Sequence, residues 1–467
     1  MGDKRYVKNI LCIGAGYVGG PTMTVIANFC PDYKVTVVDI SQEKIDRWNS
    51  DDLPIFEPGL KERVLKARGQ NLFFSTDIDR GIDEADIIFV SVNTPTKTFG
   101  EGAGRAVDLQ YIEQTARRIK ENSKSDKIIV EKSTVPVRAA ETLSKILHSG
   151  NNSVHFEILS NPEFMAEGTG IRDMENPDRV LIGSMDTPSG KAARDELIKI
   201  YERWVPRDKL VTSRLWSSEL SKLVSNAFLA QRISSINSIS GLCEVTEADV
   251  DEVARAVGKD SRIGPKFLRA GLGFGGSCFR KDILNLIYLC EHYSLQPVAD
   301  FWQQVIEIND FQMQRFVQRM LTAMFNTVVN KKIALFGFAF KPDTGDTRDA
   351  PAIHISKMLL QERARLCITD PHALNNARLD LEGLDGEIIY EPDPYKAAEG
   401  AHAIALMTEW EQYKTLDYQR IFDSMGKPAF LFDGRNHLDH KALFDLGFNV
   451  YAVGKPDRTQ FDNDSQN

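Results

Sequence analysis

The chain has 467 residues, a net charge of -9, 42% hydrophobic and 26% charged residues. That length exceeds one hydrophobic core, so two or three globular domains are expected. The negative balance argues against a nucleic-acid partner but leaves an anionic ligand open, and no apolar run reaches the length of a membrane span.

The first residues are basic with no apolar run behind them, which does not read as a signal peptide. Tyr6 stands where a myristoylation signal wants Ser or Thr. Lys8–Ile13 reads as a strand, and Gly14-Ala-Gly16-Tyr17-Val18-Gly19 follows at once. A helical run over 20–29 and a strand over 34–38 come next, ending at Asp39. This is a dinucleotide fingerprint in its full context. Gly14 serves the tight turn, Gly16 the approach of a pyrophosphate, and Gly19 close helix–strand packing. Asp39 is placed to accept hydrogen bonds from the adenosine ribose, which favours NAD over NADP.

Leu72–Ser75 and 86–92 read as strands, and the second leads into Asn93-Thr-Pro-Thr96. Such strand ends are where these sheets bind ligands. A helix over 108–120 and the strand Lys127–Glu131 precede Lys132-Ser-Thr-Val-Pro136. Thr134 then lies on the cofactor side, with a helix cap as the equal alternative. After the strand Phe156–Ser160, Glu163 and Glu167 are four apart. They read as acid–base groups or as a solvated helix face, and the Asn161-Pro-Glu-Phe164 start favours a loop. Residues 178–182 read as the last strand of this domain.

Residues 216–245 give the longest helical pattern, with Ser217 or Ser218 as cap and Glu219 in the first turn. Lys222 and Asn226 share one face. Apolar residues around the circumference predict a helix buried on most sides. The chain stays helical to about Asn326, and Arg262 and Lys266 lie in a loop. That loop precedes Gly271-Leu-Gly-Phe-Gly-Gly-Ser-Cys-Phe-Arg-Lys-Asp282. Ser277 reads as an N-cap, with Cys278 in the first helical turn, where the dipole favours thiolate, and Asp282 on the same face. Covalent catalysis and a buried structural cysteine weigh about equally on this stretch alone. The six cysteines show no CxxC, which fits a reducing compartment and gives no metal signature.

The alternation restarts at Lys332–Phe336, followed by Gly337-Phe-Ala-Phe-Lys341, a helix over 352–362, a strand over 364–369, and Asp370. Two fingerprint glycines are missing, so a different nucleotide is expected here. Strands over 403–408 and 429–433 follow, the latter ending at Asp433-Gly-Arg435, an arginine suited to an anion. The fold expected is α/β: two Rossmann-like doubly wound domains joined by a central, largely helical domain with a long spanning helix. The expected boundaries are 1–213, 214–326 and 327–454, with a disordered tail over 455–467.

Six ordered motifs carry a resemblance: Gly14-Ala-Gly-Tyr-Val-Gly19, Ser133-Thr-Val-Pro136, Asn161-Pro-Glu-Phe164, Ser218-Glu-Leu-Ser-Lys222, Gly273-Phe-Gly-Gly-Ser-Cys278 and Gly337-Phe-Ala-Phe-Lys341. From about Lys8 to about Gly454 the chain resembles the UDP-glucose/GDP-mannose dehydrogenase family, and within it the UDP-glucose-oxidising animal members. The resemblance implies NAD as cofactor and a four-electron oxidation of UDP-glucose to UDP-glucuronate through a thiohemiacetal and thioester on Cys278. It implies that Lys222 and Asn226 stabilise anionic intermediates, that Asp282 with Thr134 through water is the base, and that Glu163 assists hydrolysis. Which of Asp282, Lys222 and Glu163 takes the first alcohol proton stays open.

For the cofactor the resemblance implies Gly14, Gly16, Tyr17, Val18, Gly19, Asp39, Lys44, Val92, Thr94, Thr134, Glu167 and Arg348. Lys44 replaces an arginine of the animal members, keeping the charge without the planar fork. For the substrate it implies Glu163, Phe164, Met165, Lys222, Asn226, Lys266, Phe267, Phe274, Gly275, Phe279, Lys341 and Arg435, with Arg262 reaching a neighbouring subunit. A homo-oligomer, a hexamer built from dimers, follows from the same likeness, while the cytoplasm is the default compartment for a chain with scattered cysteines and neither signal peptide nor membrane span. Two rivals stand beside it. One is a dehydrogenase for UDP-N-acetylmannosamine or GDP-mannose; the other is a non-catalytic NAD- and UDP-sugar-binding scaffold.

Overall fold

A computed structural model describes residues 6–150 and 153–461. The chain forms two compact units, 1–225 and 226–467. The first is built on eight strands: β1 (Lys8–Ile13), β2 (Tyr33–Val38), β3 (Leu72–Ser75), β4 (Ile87–Val90), β5 (Lys127–Glu131), β6 (Phe156–Ser160), β7 (Val180–Ser184) and β8 (Leu210–Arg214). Their order is β3-β2-β1-β4-β5-β6-β7-β8, parallel except for β6 against β7. β4 is buried at every residue, as a strand covered on both faces must be. Alternate residues feed two cores: Ile10, Cys12, Val35 and Val37 on one face, Leu11, Ile13, Val38 and Ile88 on the other. The order reverses at β1 and β4, so the ligand crevice of such sheets lies at their carboxyl ends.

The second unit carries β9 (Lys332–Phe336), β10 (Arg365–Thr369), β11 (Ile388–Tyr390), β12 (Ala403–Leu406), β13 (Phe430–Asp433) and β14 (Asn449–Ala452), all parallel in the order β11-β10-β9-β12-β13-β14. Helices Val250–Gly258, Phe279–His292 and Gln296–Ala323 precede this sheet. The Leu215–Thr246 helix runs from the first unit into the second without a break. The α/β reading with two Rossmann-like sheets and a long helix between them holds.

Several local expectations change. β7 is not the last strand of its sheet. β8 follows it, an edge strand too polar and exposed to announce itself. The long helix starts at Leu215, directly after β8, so neither Ser217 nor Ser218 caps it; the Ser218 hydroxyl instead accepts from Ser160 at 2.9 Å. Nor is it buried all round, since Phe228, Ile239, Leu242 and Val245 are exposed. The tail is tied down through Phe461. Lys455 pairs with Asp251 at 2.6 Å, Arg458 bridges Val450, and the Gln460 side chain donates to Phe444 O at 2.8 Å. Residues 462–467 lie outside the described residues. No helix among those described is long and apolar enough to cross a membrane.

Candidate active site

The β1–helix turn fits a dinucleotide. Gly14 has φ +109°, and a Cβ there would meet Ser91 O at 2.2 Å, so only glycine serves. Above Gly16 the space is open, since an added Cβ meets nothing within 4 Å. Tyr17 and Val18 lead into the Gly19–Phe29 helix, whose first turn has no side-chain cap and no acid; Gly20 N donates to Gly16 O at 3.1 Å and Pro21 has no N–H, so what this helix end offers an anion is mainly its dipole. Asp39 accepts from Ala15 N and from Lys44 Nζ, both at 2.9 Å, and from Ser41 N at 3.0 Å. Burial works against its charge, but Lys44 and these amides hold the carboxyl below the usual range. An ionised acid at the end of β2 is what a ribose needs.

The loops after β4 and β5 are stitched together. Ser133 Oγ donates to Val92 O at 2.7 Å, and Thr94 Oγ1 donates to Thr134 O at 2.9 Å. Thr134 does not cap the next helix. That helix starts at Ala139, and Glu219 accepts the Arg138 and Ala140 amides at 2.7 and 2.8 Å. Glu219 therefore caps a different helix from the one it sits on.

Glu163 lies in a loop and not on a helix face, with Lys132 Nζ at 3.0 Å from its Oε2. Lys132 also donates to Asn161 Oδ1 at 3.0 Å, to which Tyr201 O–H donates at 2.6 Å. Burial opposes the Glu163 charge, yet Lys132, the Phe164 amide and Lys222 keep its carboxyl below its ordinary value. A cavity of about 30 Å³ borders Glu163, Lys132 and Tyr201, enough for one water. Lys222 is buried, with Nζ 5.3 Å from the Phe164 ring centre, and Arg179 covers that ring at 3.9 Å. A Cβ added at Gly170 would lie 3.3 Å from Met165 Sδ, and Glu167 opens the turn that leads into the Gly170–Glu175 helix.

Glu57 gave no sequence signal. It accepts from Tyr17 O–H at 2.5 Å, Gly168 N at 2.6 Å and Gly170 N at 3.1 Å. It thereby joins the fingerprint loop to the loop carrying Glu163 and Glu167.

In the second unit, Cys278 is the N-cap of Phe279–His292, one position before the first turn expected for it, and Ser277 is not the cap. Its thiol lies 3.4 Å from Ser277 Oγ. Among the described residues it is the one exposed cysteine; Cys12, Cys30, Cys243, Cys290 and Cys367 are buried. Burial pushes the Cys12 and Cys30 thiols up to about 12, which makes them inert. One turn on, Asp282 is buried and accepts from Asn226 Nδ2 at 2.6 Å.

The loop before Cys278 is held by buried amide side chains. Asn309 accepts from Phe274 N at 2.8 Å and donates to Phe274 O at 3.1 Å. Asn237 accepts from Gly271 N at 2.9 Å, and Gln312 donates to Gly271 O at 2.6 Å. Phe274 meets Phe279 edge to face at 5.8 Å. Gly276 N donates to Arg348 O at 2.8 Å, and a Cβ on Gly275 would strike Asp349 O at 2.5 Å. Arg280 binds Asp349 at 3.0 Å and also Asp310, fixing the cysteine helix to the same segment.

Arg435 comes from the end of β13 and donates to Met407 O at 2.7 Å and Phe340 O at 3.3 Å, near Gly271. Lys341 lies 5.4 Å from the Phe340 ring centre. The structure thus brings Arg435 and Lys341 beside the cysteine loop. The Arg348 guanidinium folds back on Asp346 at 2.6 Å. Arg262 pairs with Asp260 at 2.6 Å while its side chain stays 87% exposed, and Lys266 and Phe267 lie exposed on the same loop.

An NAD cradle on one sheet, with a second Rossmann-like sheet and an exposed helix-capping cysteine on the other unit, places the chain among NAD-dependent dehydrogenases. It belongs to the UDP-glucose/GDP-mannose dehydrogenase family, whose NAD-binding, central and UDP-binding domain models match residues 8–205, 216–311 and 334–440. The chain is 58% identical to UDP-glucose 6-dehydrogenase 5 of Oryza sativa subsp. japonica, with 96% of the chain and 97% of that protein covered. It is 57% identical to UDP-glucose 6-dehydrogenase of Bos taurus, with 96% and 93% covered. A solved UDP-glucose dehydrogenase from the archaeon Pyrobaculum islandicum superposes with a TM-score of 0.84 at 28% identity, covering 97% of this chain and 99% of that one.

Proposed function

We propose that this protein oxidises UDP-glucose to UDP-glucuronate in two NAD-dependent steps. One observation carries the reading: the single exposed cysteine among the described residues caps a helix whose Asp282 is fixed by Asn226. Gly14, Gly16 and Gly19 of the β1 turn, with Asp39, would hold NAD, which would supply the hydride acceptor for each of the two oxidations at the sugar C6. A base takes the alcohol proton as the first aldehyde forms, and Asp282 is the group assigned to it, with Thr134 acting through water. The Cys278 thiolate adds to the aldehyde carbon, and Lys222 with Asn226 offsets charge on the oxygen. Loss of the second hydride leaves a thioester. Glu163, kept ionised by Lys132, directs water at that carbonyl, releasing the acid and the thiol.

Lys341 and Arg435 supply cations for the diphosphate, with Lys266, Phe267, Phe274, Gly275 and Phe279 lining the nucleotide-sugar side. Arg348 and Glu167 are assigned to the cofactor. Arg262, exposed and, among the described residues, paired with Asp260, is the side chain that reaches a neighbouring copy in a cytoplasmic homo-oligomer. The exposed apolar row Phe228, Ile239, Leu242 and Val245 supports self-association.

The test is the ratio of NADH formed to UDP-sugar consumed by purified protein with excess NAD. A ratio of two with UDP-glucuronate as sole product is expected. A ratio of one would return Cys278 to a structural role. No NADH with UDP-glucose, but turnover of UDP-N-acetylmannosamine or GDP-mannose, would move the substrate.

A further inference from the structure

The segment between Gly258 and Gly271 carries Arg262, Lys266 and Phe267 but has little structure of its own. Its internal bonding is one turn, in which Ile263 N and Gly264 N donate to Asp260 O at 3.0 and 2.8 Å. Near its far end Arg269 ties the segment to Arg435 O at 3.0 Å and Asn436 O at 3.3 Å; among the described residues, the carbonyls from Ile263 to Lys266 are held by one side chain. Arg232, on the Leu215–Thr246 helix, donates from Nε to Lys266 O at 2.9 Å, from one terminal nitrogen to Ile263 O at 2.9 Å, and from the other to Gly264 O at 2.7 Å. All three guanidinium nitrogens are thus spent on carbonyls within four residues. On the far side Pro265 packs against Gly258, where an added Cβ would lie 2.9 Å from Pro265 Cα.

The residue after this clamp, Phe267, sits at φ +61°. A bulky side chain in the left-handed region is strained and persists only where the surroundings over-determine it. The clamp supplies that constraint at the adjoining peptide. A planar fork with five donors can serve three divergent carbonyls at once, whereas an ammonium cannot do so in the same geometry.

We infer that Arg232 is a positioning residue for substrate: it sets the backbone that presents Lys266, Phe267 and Arg262 to the nucleotide sugar. The inference rests on the reading that this loop binds substrate. Arg232 touches no reacting atom, so its loss acts on affinity and not on chemistry.

The experiment compares Arg232→Ala, Arg232→Lys and Lys266→Ala with the parent enzyme. The readouts are KM for UDP-glucose, kcat at saturation, NAD affinity by fluorescence and melting temperature. For both Arg232 variants KM should rise on the order of ten- to a hundredfold, with kcat within about threefold and NAD affinity unchanged. Added methylguanidinium should lower the raised KM of Arg232→Ala and leave that of Lys266→Ala alone. If Lys266→Ala raises KM while both Arg232 variants do not, the clamp is overturned and the substrate reading stands. If none of the three changes KM, the loop is not a substrate loop and the parent reading fails. Parallel loss of NAD affinity, kcat and melting temperature without methylguanidinium rescue would make Arg232 a general stabiliser and overturn the inference. Should Arg232→Ala not fold, Arg232→Lys carries the same comparison.

Discussion

Asn226 Nδ2 donates to Asp282 Oδ2 across 2.6 Å, binding the long helix to the helix that Cys278 caps. Asp282 is 1% exposed, so without Asn226 its carboxylate would be buried with a donor missing. Asp282→Asn should lower kcat by about 10²–10⁴, the usual worth of a positioned base. Asn226→Ala should cost less, and the double variant should fall short of the product of the two. Steady-state kinetics of the three variants check this. Near-normal turnover of Asp282→Asn would remove it from the proton path.

Cys278→Ser should retain binding of NAD and UDP-glucose but lose UDP-glucuronate formation by three orders of magnitude or more, on the order expected for loss of a covalent nucleophile. Calorimetry and product chromatography read the two halves separately. Product formed at an appreciable rate would exclude the thioester.

Glu163→Gln should separate oxidation from release. A burst of two NADH per site is expected, then a steady rate about a hundredfold below the parent. The mass of the trapped enzyme should rise by the acyl group. A slow rate with no burst would move Glu163 to an earlier step.

Asp39→Ala should raise KM for NAD about ten- to a hundredfold, because hydrogen bonds to a charged acceptor are lost. Lys44→Ala should cost only a few-fold, since its ion pair is partly exposed. If kcat falls and KM does not, the ribose contact is misassigned.

Glu131 and Glu219 form a buried acid pair behind the Ala139–Leu147 helix. Burial, with Glu219 beside it, pushes the Glu131 carboxyl well above its ordinary 4.5. Above that pH the native state keeps a proton that the unfolded chain has lost. Stability from this group is therefore full below about 4.5 and is lost as pH rises toward the folded value. Glu131→Gln should raise the melting temperature at pH 8 more than at pH 5. A variant less stable than the parent at both would mean that the pair is not a liability.

Much of the frame was legible in the residues. β1, β5, β6 and β9 lie where their apolar runs predict, because a strand buried on both faces has little choice of residue; β3, an edge strand with alternating burial, also lies where expected. Asp39 was equally readable, since it ends a strand directly after a fingerprint helix. Glu57, Asn237, Asn309, Gln312 and Arg232 were not. Each acts on backbone distant in sequence, and a side chain that binds a remote amide or carbonyl leaves no local period. Polar residues at core positions of the Leu215–Thr246 and Gln296–Ala323 helices were the one available sign. The Ser277 and Thr134 cap readings failed for a related reason: Cys278 takes the cap position itself, and Glu219 supplies the other cap from afar.

Asp370 ends β10 as Asp39 ends β2, yet the two acids have different obligations. Asp370 accepts from the Phe338, Ala339, His372 and Ala373 amides and from Trp410 Nε1. Five donors saturate a carboxylate with about four lone-pair sites. The position proposed to read a ribose in one half of the chain is a rivet in the other. A ribose hydroxyl would thus find no spare oxygen on Asp370, and under the function proposed above the nucleotide at this sheet is left to the cations Lys341 and Arg435. Asp39, with three donors, keeps acceptor capacity to offer a ligand, while its counterpart spends all of its own on the fold.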